Sequence, residues 1–342
     1  MANMLNMNEQ VVSISEEPFA YKLFPKYKKV KKWTPEVVKE FCYDFYLFSE
    51  GLLAAQFGTY QDLETILMEH LDYLDVYSAI KLAFLCFFPN KDKSNVTTLI
   101  EKELKSLFFL EELAAIYPDA RFIVLYRDPR DNALTKWKRA TKGNRRASYF
   151  KYGFVWNYTF SGIREKALKI GKARFMHVKY EDLVSNPEDT LKQICLFLEI
   201  RYNSVMLEHD AYFRSEMKDR VENMDDKLKR QFRLFHQGLA QKVNTDKIGL
   251  WKSSMKPEDA NLVWTLSANS AREVGYLEDE DFKEIKWNPI LRFRQLYWTI
   301  RLVWFPKMYF ALPFSVKYAI KKVKYGYRLR NETDKSNSDK LK

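Results

Sequence analysis

Residues 120–137 have the pattern of a buried β-strand joined to an α-helix by one tight turn. Phe122 to Tyr126 is an unbroken run of apolar and β-favouring residues, as found in strands that a parallel sheet buries on both faces. Asp128 then stands where a helix N-cap is expected, and Pro129 occupies the first helical position, where its missing N–H costs nothing. The pattern therefore predicts an α/β fold with a parallel sheet.

Two groups suited to binding an anion belong to this turn. In open α/β sheets, ligands bind at the carboxyl edge of the strands, where Arg127 follows the predicted strand and Thr135 lies two helical turns later. A guanidinium and a hydroxyl at a helix start can clamp a phosphate. Alternatively, Arg127 pairs with Asp128 or Asp131 and only stabilises the helix start, because structural ion pairs are common there. The residues alone leave both interpretations open.

Composition limits the partners and the chemistry. The chain has 342 residues, and its 57 Lys and Arg against 45 Asp and Glu give a net charge of +12, which suits anionic small molecules, anionic lipid or nucleic acid. No nucleic-acid-binding motif accompanies that charge, so we expect no nucleic acid partner. Three well-separated cysteines, without a Cys-x-x-Cys pair or a Cys/His cluster, predict neither a metal site nor a disulfide framework. The first nine residues carry no secretory signal pattern, which favours a cytoplasmic setting.

Further elements follow from periodicity and turn signals along the chain. Five basic residues without apolar periodicity predict a basic loop at 138–150. Helices are predicted to begin at Pro35, Pro187 and Pro257 and to span about 63–88, 107–116 and 150–168. Strands are predicted at about 96–100 and 175–180.

Three segments together resemble one enzyme family. Pro118 to Thr135 resembles the 3′-phosphate-binding segment of the sulfotransferases that use 3′-phosphoadenosine 5′-phosphosulfate (PAPS). Val178 to Leu198 resembles their Tyr-Glu-Asp-Leu segment and the following helix, and 248–276 resembles their C-terminal Gly-x-Trp segment. The matches keep the family's order over about residues 95–277. They imply a three-layer αβα, P-loop-NTPase-like sulfotransferase fold with a central parallel sheet, a helix-rich N-terminal part and extra C-terminal helices.

The resemblance also implies a cofactor site. Carried over, Arg127 and Thr135 hold the 3′-phosphate of PAPS, with Thr standing in for the usual Ser. Tyr180 lies near the adenosine, and the basic segment around Lys247 assists with the 3′-phosphate. Tyr180 is alternatively an ordinary aromatic residue at a strand end, and for Trp251 we favour a core position.

The implied reaction transfers a sulfuryl group from PAPS to a hydroxyl or amine of a saccharide, lipid or peptide. Glu101 and Lys102, at a predicted strand end, are the candidates for general base and charge stabilisation, and a solvent-facing ion pair is the alternative for both. The second hypothesis for the whole chain is a catalytically inactive relative that binds the nucleotide or a membrane.

A glycine-rich 5′-phosphosulfate loop is the family feature that the sequence does not show. Only Gly51 and Gly58 precede Gly143, whereas a phosphate-cradling loop needs several residues with unhindered N–H groups. We therefore expect a chain that lacks the family's first strand and this loop, either because it is truncated, which the well-kept downstream segments favour, or because it is a degenerate member that has lost catalysis. The expected behaviour is nucleotide binding with weak or absent turnover.

The chain divides into four predicted segments. Residues 288–330 are basic and aromatic, and their longest uncharged run, Met308 to Val316, is far shorter than the ~20 residues that span a bilayer. This segment either packs on the domain or lies on an anionic membrane surface, which would make the protein peripheral at the inner face of the membrane. The predicted segments are a helical N-terminal part at 1–94, an α/β core at 95–277, a basic aromatic helical extension at 278–330 and a disordered tail at 331–342.

Overall fold

The chain forms two compact units. The N-terminal unit comprises Ala2–Leu104 with Lys307–Lys342, and the central unit comprises Lys105–Pro306 with Met1. The predicted tail at 331–342 lies outside the described residues, and so do Gly51 and Gly58. The division of the chain into four segments stays a prediction. The computed structural model describes residues 1–15, 23–48, 60–86, 92–143, 146–211, 241–278, 280 and 282–320.

In the N-terminal unit, helices surround a pair of parallel strands. The two strands pair from Val11 opposite Thr98 to Ser15 opposite Lys102. The helix predicted to begin at Pro35 is confirmed. The long helix predicted at 63–88 is wrong, because a short 3₁₀ turn at Leu71–Tyr73 divides it. The elements are α1 Ala2–Asn6, β1 Val11–Ser15, α2 Phe24–Tyr27, α3 Pro35–Phe48, α4 Tyr60–Glu69, α5 Val76–Cys86 and β2 Thr98–Lys102.

Strand β1 was not predicted from the sequence. Val12 and Ile14 are buried on one face of the strand and Val11 is buried on the other, so both faces are covered. The side-chain amide of Asn6 donates to the backbone oxygen of Ser13 at 2.8 Å and accepts from its N–H at 2.6 Å. One asparagine side chain thus satisfies both backbone groups of Ser13.

In the central unit, the helices pack around a second pair of parallel strands. Phe122 lies opposite Phe175, and Tyr126 lies opposite Lys179. The strand predicted at Phe122 to Tyr126 is confirmed with both of its ends. The elements are α6 Leu110–Ile116, β3 Phe122–Tyr126, α7 Pro129–Lys142, α8 Tyr149–Phe160, α9 Ile163–Ile170, β4 Phe175–Lys179, α10 Tyr180–Ser185, α11 Pro187–Leu198, α12 Trp251–Ser254, α13 Pro257–Glu273, α14 Pro289–Thr299, a π-helical turn Ile300–Trp304, and α15 Phe305–Ala311, which crosses into the other unit.

Two predictions in the central unit are wrong. Helix α7 continues to Lys142, and its later apolar residue Trp137 packs beside buried Ala133, so the first part of the predicted basic loop is helical. The single helix predicted at 150–168 is two helices, because Gly162 adopts a left-handed backbone with φ of 65°. A helix cannot continue through that conformation.

The core of the central unit lies between the β3–β4 pair and the helices α8, α9 and α13. Val124 and Tyr126 of β3 are buried against Trp156 and Phe160 of α8 and Trp264 of α13. Helices α8 and α13 approach closely at Gly153, where a side chain would meet the backbone of Val263. The packing fixes the carboxyl end of β3, where the candidate site lies. The α/β class with parallel strands is confirmed, and the described strands form two two-stranded sheets.

Candidate functional site

The side chain of Arg127 is the centre of a cluster at the carboxyl end of β3. Its Nη1 donates to the Thr135 hydroxyl at 3.0 Å, and its Nη2 donates to the backbone oxygen of Lys247 at 2.7 Å. The guanidinium carbon lies 4.7 Å from the ring centroid of Tyr180, in the geometry of a cation–π contact. The structure therefore brings together the four residues that the sequence proposed for cofactor binding.

The turn between β3 and α7 is built by Asp128 and Arg130. The Asp128 carboxylate caps the helix by accepting from the Arg130 N–H at 2.8 Å, and it also accepts from the Arg130 guanidinium, with Nη2 at 2.6 Å. That guanidinium is buried between the rings of Trp251 at 3.9 Å and Trp264 at 4.5 Å. Arg130 is thus a structural residue, and the core position predicted for Trp251 is confirmed.

Asp131 fixes the loop that meets Arg127. Its buried carboxylate accepts from the Gly249 N–H at 2.8 Å and from the Trp251 N–H at 2.9 Å. Burial raises the pKa of Asp131, while these two N–H groups and the nearby Arg127 charge oppose that shift. Because the aspartates of the turn bind other partners, Arg127 is left to contact Thr135 and Lys247. The alternative, in which Arg127 only pairs with an aspartate of the turn, is wrong.

Glu181 joins the end of β4 to the start of α7. One of its carboxylate oxygens accepts from the Asp128 N–H at 3.0 Å, and the other accepts from the Tyr276 hydroxyl at 2.7 Å. These bonds fix the backbone next to Tyr180 and hence the ring that covers the Arg127 guanidinium. Neither Glu181 nor Asp131 was predictable as a site residue, because their partners are remote along the chain.

The cluster carries excess positive charge. Desolvation and the neighbouring guanidinium groups of Arg127 and Arg139 lower the pKa of the exposed Lys247 side chain. Desolvation, followed by the charges of Lys151 and Arg139, lowers the pKa of Lys136 to about 8. Nε of Arg127 is buried and has no hydrogen-bond partner among the residues that the structure describes. Cations that depress one another's pKa values form a site that an anion stabilises.

The two predicted catalytic residues are the last two residues of β2. Glu101 is half-buried and Lys102 is exposed, and their register partners on β1 are Ile14 and Ser15. Both belong to the N-terminal unit, whereas the Arg127 cluster belongs to the central unit. Their catalytic roles stay a prediction.

Comparison with known proteins identifies the family. The model of a family described as "Sulfotransferase family" matches residues 1–204, which is more than half of the 342 residues. The chain belongs to the sulfotransferase family. The match extends across the candidate cluster except for Lys247, which lies beyond residue 204.

Individual relatives of this sulfotransferase are distant. A protein-tyrosine sulfotransferase of Drosophila melanogaster is 31% identical over 99 residues, covering 28% of this chain and 20% of that protein. Protein-tyrosine sulfotransferase A of Caenorhabditis elegans is 24% identical over 176 residues, covering 51% of this chain and 42% of that protein. The chain thus spans less than half the length of either relative. A sulfotransferase domain from the curacin biosynthetic pathway aligns over 82% of this chain and 93% of that chain, at 14% identity and a TM-score of 0.48, which is too distant to bear on the site.

Proposed function

We propose that the Arg127 cluster binds the 3′-phosphate of PAPS. The observation that carries this proposal is the convergence of a guanidinium, a hydroxyl and the Lys247 segment at the carboxyl end of β3. A phosphate oxygen placed between Arg127 and Thr135 would receive charge-assisted hydrogen bonds, which are about twice as strong as neutral ones. The Lys247 ammonium adds a further positive charge to the site. Family membership supports a nucleotide sulfuryl donor as the source of that phosphate.

Tyr180 is proposed to flank the nucleoside. Its ring already lies against the Arg127 guanidinium, and desolvation is the main reason that its pKa is raised. A neutral aromatic ring beside the phosphate site offers a surface for the adenosine that is joined to that phosphate. The Glu181 hydrogen bonds hold this part of the chain in place before the nucleotide binds, which reduces the entropic cost of binding.

The proposed reaction is sulfuryl transfer to a hydroxyl group. The acceptor oxygen attacks the sulfur of PAPS, the bond between sulfur and the bridging phosphate oxygen breaks, and 3′-phosphoadenosine 5′-phosphate leaves. The hydroxyl proton passes to a general base, for which Glu101 is our candidate, with Lys102 stabilising charge on the transferred group. Because the named relatives are protein-tyrosine sulfotransferases, the phenol of a peptide tyrosine is the acceptor to test first.

Calorimetry with two nucleotides tests the phosphate assignment. The wild type is expected to bind 3′-phosphoadenosine 5′-phosphate more tightly than adenosine 5′-phosphate, which differs only in lacking the 3′-phosphate. Arg127→Gln should reduce this selectivity about 10- to 150-fold, since a hydrogen bond to a charged group contributes about 1.5–3 kcal/mol. Thr135→Val should reduce it by a smaller factor, because it removes one neutral hydroxyl.

The matched control for this experiment is Arg121→Gln. Arg121 precedes β3 at the opposite end of the strand and pairs with Glu199 on the surface. Arg121→Gln therefore removes one positive charge, as Arg127→Gln does, but away from the cluster. The control should keep the selectivity of the wild type. Equal binding of the two nucleotides by the wild type, or equal selectivity in Arg127→Gln and Arg121→Gln, would contradict the assignment.

A transfer assay separates an enzyme from a binding protein. Wild-type chain, PAPS labelled on sulfur and a tyrosine-containing peptide are expected to give labelled peptide only slowly, because the sequence shows no glycine-rich 5′-phosphosulfate loop. Glu101→Gln should lower that rate further while preserving nucleotide affinity. Nucleotide selectivity without any labelled peptide would instead support the non-catalytic relative for this acceptor. The cytoplasmic setting also stays a prediction.

A further inference from the structure

Helix α14 and the π-helical turn after it expose an unusual number of large apolar side chains. Ile290 is 71% exposed, Phe293 70%, Leu296 57%, Ile300 44% and Trp304 60%. These positions recur every three or four residues, so they form one stripe along one side of the helix. We call this set, from Ile290 to Trp304, the apolar stripe. Scattered exposed apolar residues are ordinary, but a continuous row of them indicates an interaction surface.

The opposite side of this helix is packed against the central unit. Leu291, Trp298 and Leu302 pack against a buried cluster of Phe150, Phe154 and Leu266 on helices α8 and α13. Val303, in the π-helical turn, is also buried. These contacts fix the rotation of the helix about its axis, so the apolar stripe is held facing outward.

Basic side chains accompany the stripe. Residues 285–306, which belong to the central unit, contain four Lys and Arg and no Asp or Glu. On the helix, Arg292, Arg294 and Arg301 are exposed, and Arg301 donates to the hydroxyl of Tyr297 at 2.5 Å. A surface that is apolar along its centre and basic along its sides complements an anionic lipid interface, where acyl chains and charged headgroups are both within reach.

We propose that the apolar stripe binds the surface of a bilayer that contains anionic lipid, with the helix lying parallel to the membrane plane. Aromatic side chains such as Trp304 and Tyr297 suit the headgroup region, because their rings are apolar and carry a polar tip. Within the residues that the structure describes, no helix is long and apolar enough to cross a membrane. This attachment is independent of the proposed sulfuryl transfer.

Vesicle co-sedimentation of the full chain tests this proposal. The wild type should pellet with vesicles of phosphatidylcholine and phosphatidylglycerol. A triple variant, Ile290→Ser, Phe293→Ser and Trp304→Ser, should bind these vesicles at least about tenfold more weakly, since it removes three large apolar groups from the contact. Because all three side chains are exposed, the variant should keep the far-UV circular dichroism of the wild type.

A matched control removes exposed apolar groups elsewhere on the central unit. Leu168 is 66% exposed and Leu196 is 80% exposed, on helices α9 and α11. Leu168→Ser with Leu196→Ser should leave vesicle binding unchanged. A charge variant, Arg292→Gln with Arg301→Gln, should weaken binding to anionic vesicles, and added salt should weaken the binding of the wild type.

Three outcomes would overturn the proposal. The first is equal vesicle binding by the triple variant and the leucine control. The second is binding that is the same with phosphatidylcholine alone and insensitive to salt. The third is a wild-type dimer in sedimentation analysis that the triple variant dissociates, together with no vesicle binding, because the stripe would then be an interface between copies of the chain.

Discussion

The substitution Asp131→Asn isolates the contact that fixes the 247–251 loop against helix α7. In the wild type, one carboxylate oxygen accepts from the Gly249 N–H and the other from the Trp251 N–H, at 2.8 and 2.9 Å. Asparagine has the same shape, but its amide offers only one acceptor oxygen. One of the two backbone N–H groups must then face an NH₂ group, which is also a donor.

The size of the loss follows from these two hydrogen bonds. A hydrogen bond to a charged group contributes about 1.5–3 kcal/mol, and a buried donor left without an acceptor costs about 1–3 kcal/mol. Desolvation already opposes the charge of Asp131, as its raised pKa shows, so a neutral amide recovers part of this loss. We expect a net loss of about 2 kcal/mol in local stability, which corresponds to about thirtyfold in an opening equilibrium.

Amide hydrogen exchange measured by mass spectrometry reads this quantity locally. Peptides that contain Gly249 and Trp251 should exchange about thirtyfold faster in Asp131→Asn, while peptides from β3 should keep their protection. Asp119→Asn, at an exposed turn, serves as the control and should exchange like the wild type. Unchanged exchange around Gly249, or an equal increase in β3 and the loop, would refute the assignment of Asp131 as the anchor of this loop.

Two further predictions concern packing and pH. Gly153→Ala would place a Cβ 3.1 Å from the Cα and the backbone oxygen of Val263, so thermal denaturation should show a loss of about 1 kcal/mol despite the better helix propensity of alanine; a melting temperature at or above that of the wild type would count against the close helix contact. Desolvation, followed by the charge of Arg164, lowers the pKa of His177 below its ordinary 6.5, so the unfolded chain takes up the proton first and stability should fall as the pH falls through that range. His177→Gln should make this loss of stability with falling pH smaller, and the lowered pKa of His209 should account for the loss that remains. Urea denaturation at several pH values measures the free energy of unfolding, and an equal dependence of that free energy on pH in both proteins would contradict this prediction.

Local signals in the sequence were sufficient for the strand and the helix start at the site. The run from Phe122 to Tyr126 is apolar throughout, and Asp128 with Pro129 marks a helix start, so each element depends on neighbouring residues. Arg127 and Thr135 were also predictable, because Arg127 directly follows the strand, Thr135 lies in the next helix, and both match the 3′-phosphate-binding segment that the sequence resembles. In the structure, Nη1 of Arg127 donates to the Thr135 hydroxyl.

Contacts that are remote along the chain could not be predicted in the same way. Asp131 meets partners 118 and 120 residues away, and nothing near it distinguishes it from other acidic residues of a first helical turn. The break at Gly162 was missed because a glycine inside a helical pattern is often tolerated, and only its positive φ reveals the break. Strand β1 was missed because it is only five residues long and its partner strand β2 is remote along the chain.

Phosphorus NMR of bound 3′-phosphoadenosine 5′-phosphate reads the proposed phosphate site directly, because the 3′- and 5′-phosphates give separate resonances. Binding to the wild type should shift the 3′-phosphate resonance, since Arg127, Thr135 and Lys247 are proposed to surround it. Arg127→Gln should abolish that shift, whereas Arg121→Gln should preserve it. A 3′-phosphate resonance that is unchanged by the wild type, or that shifts equally in both variants, would contradict the account.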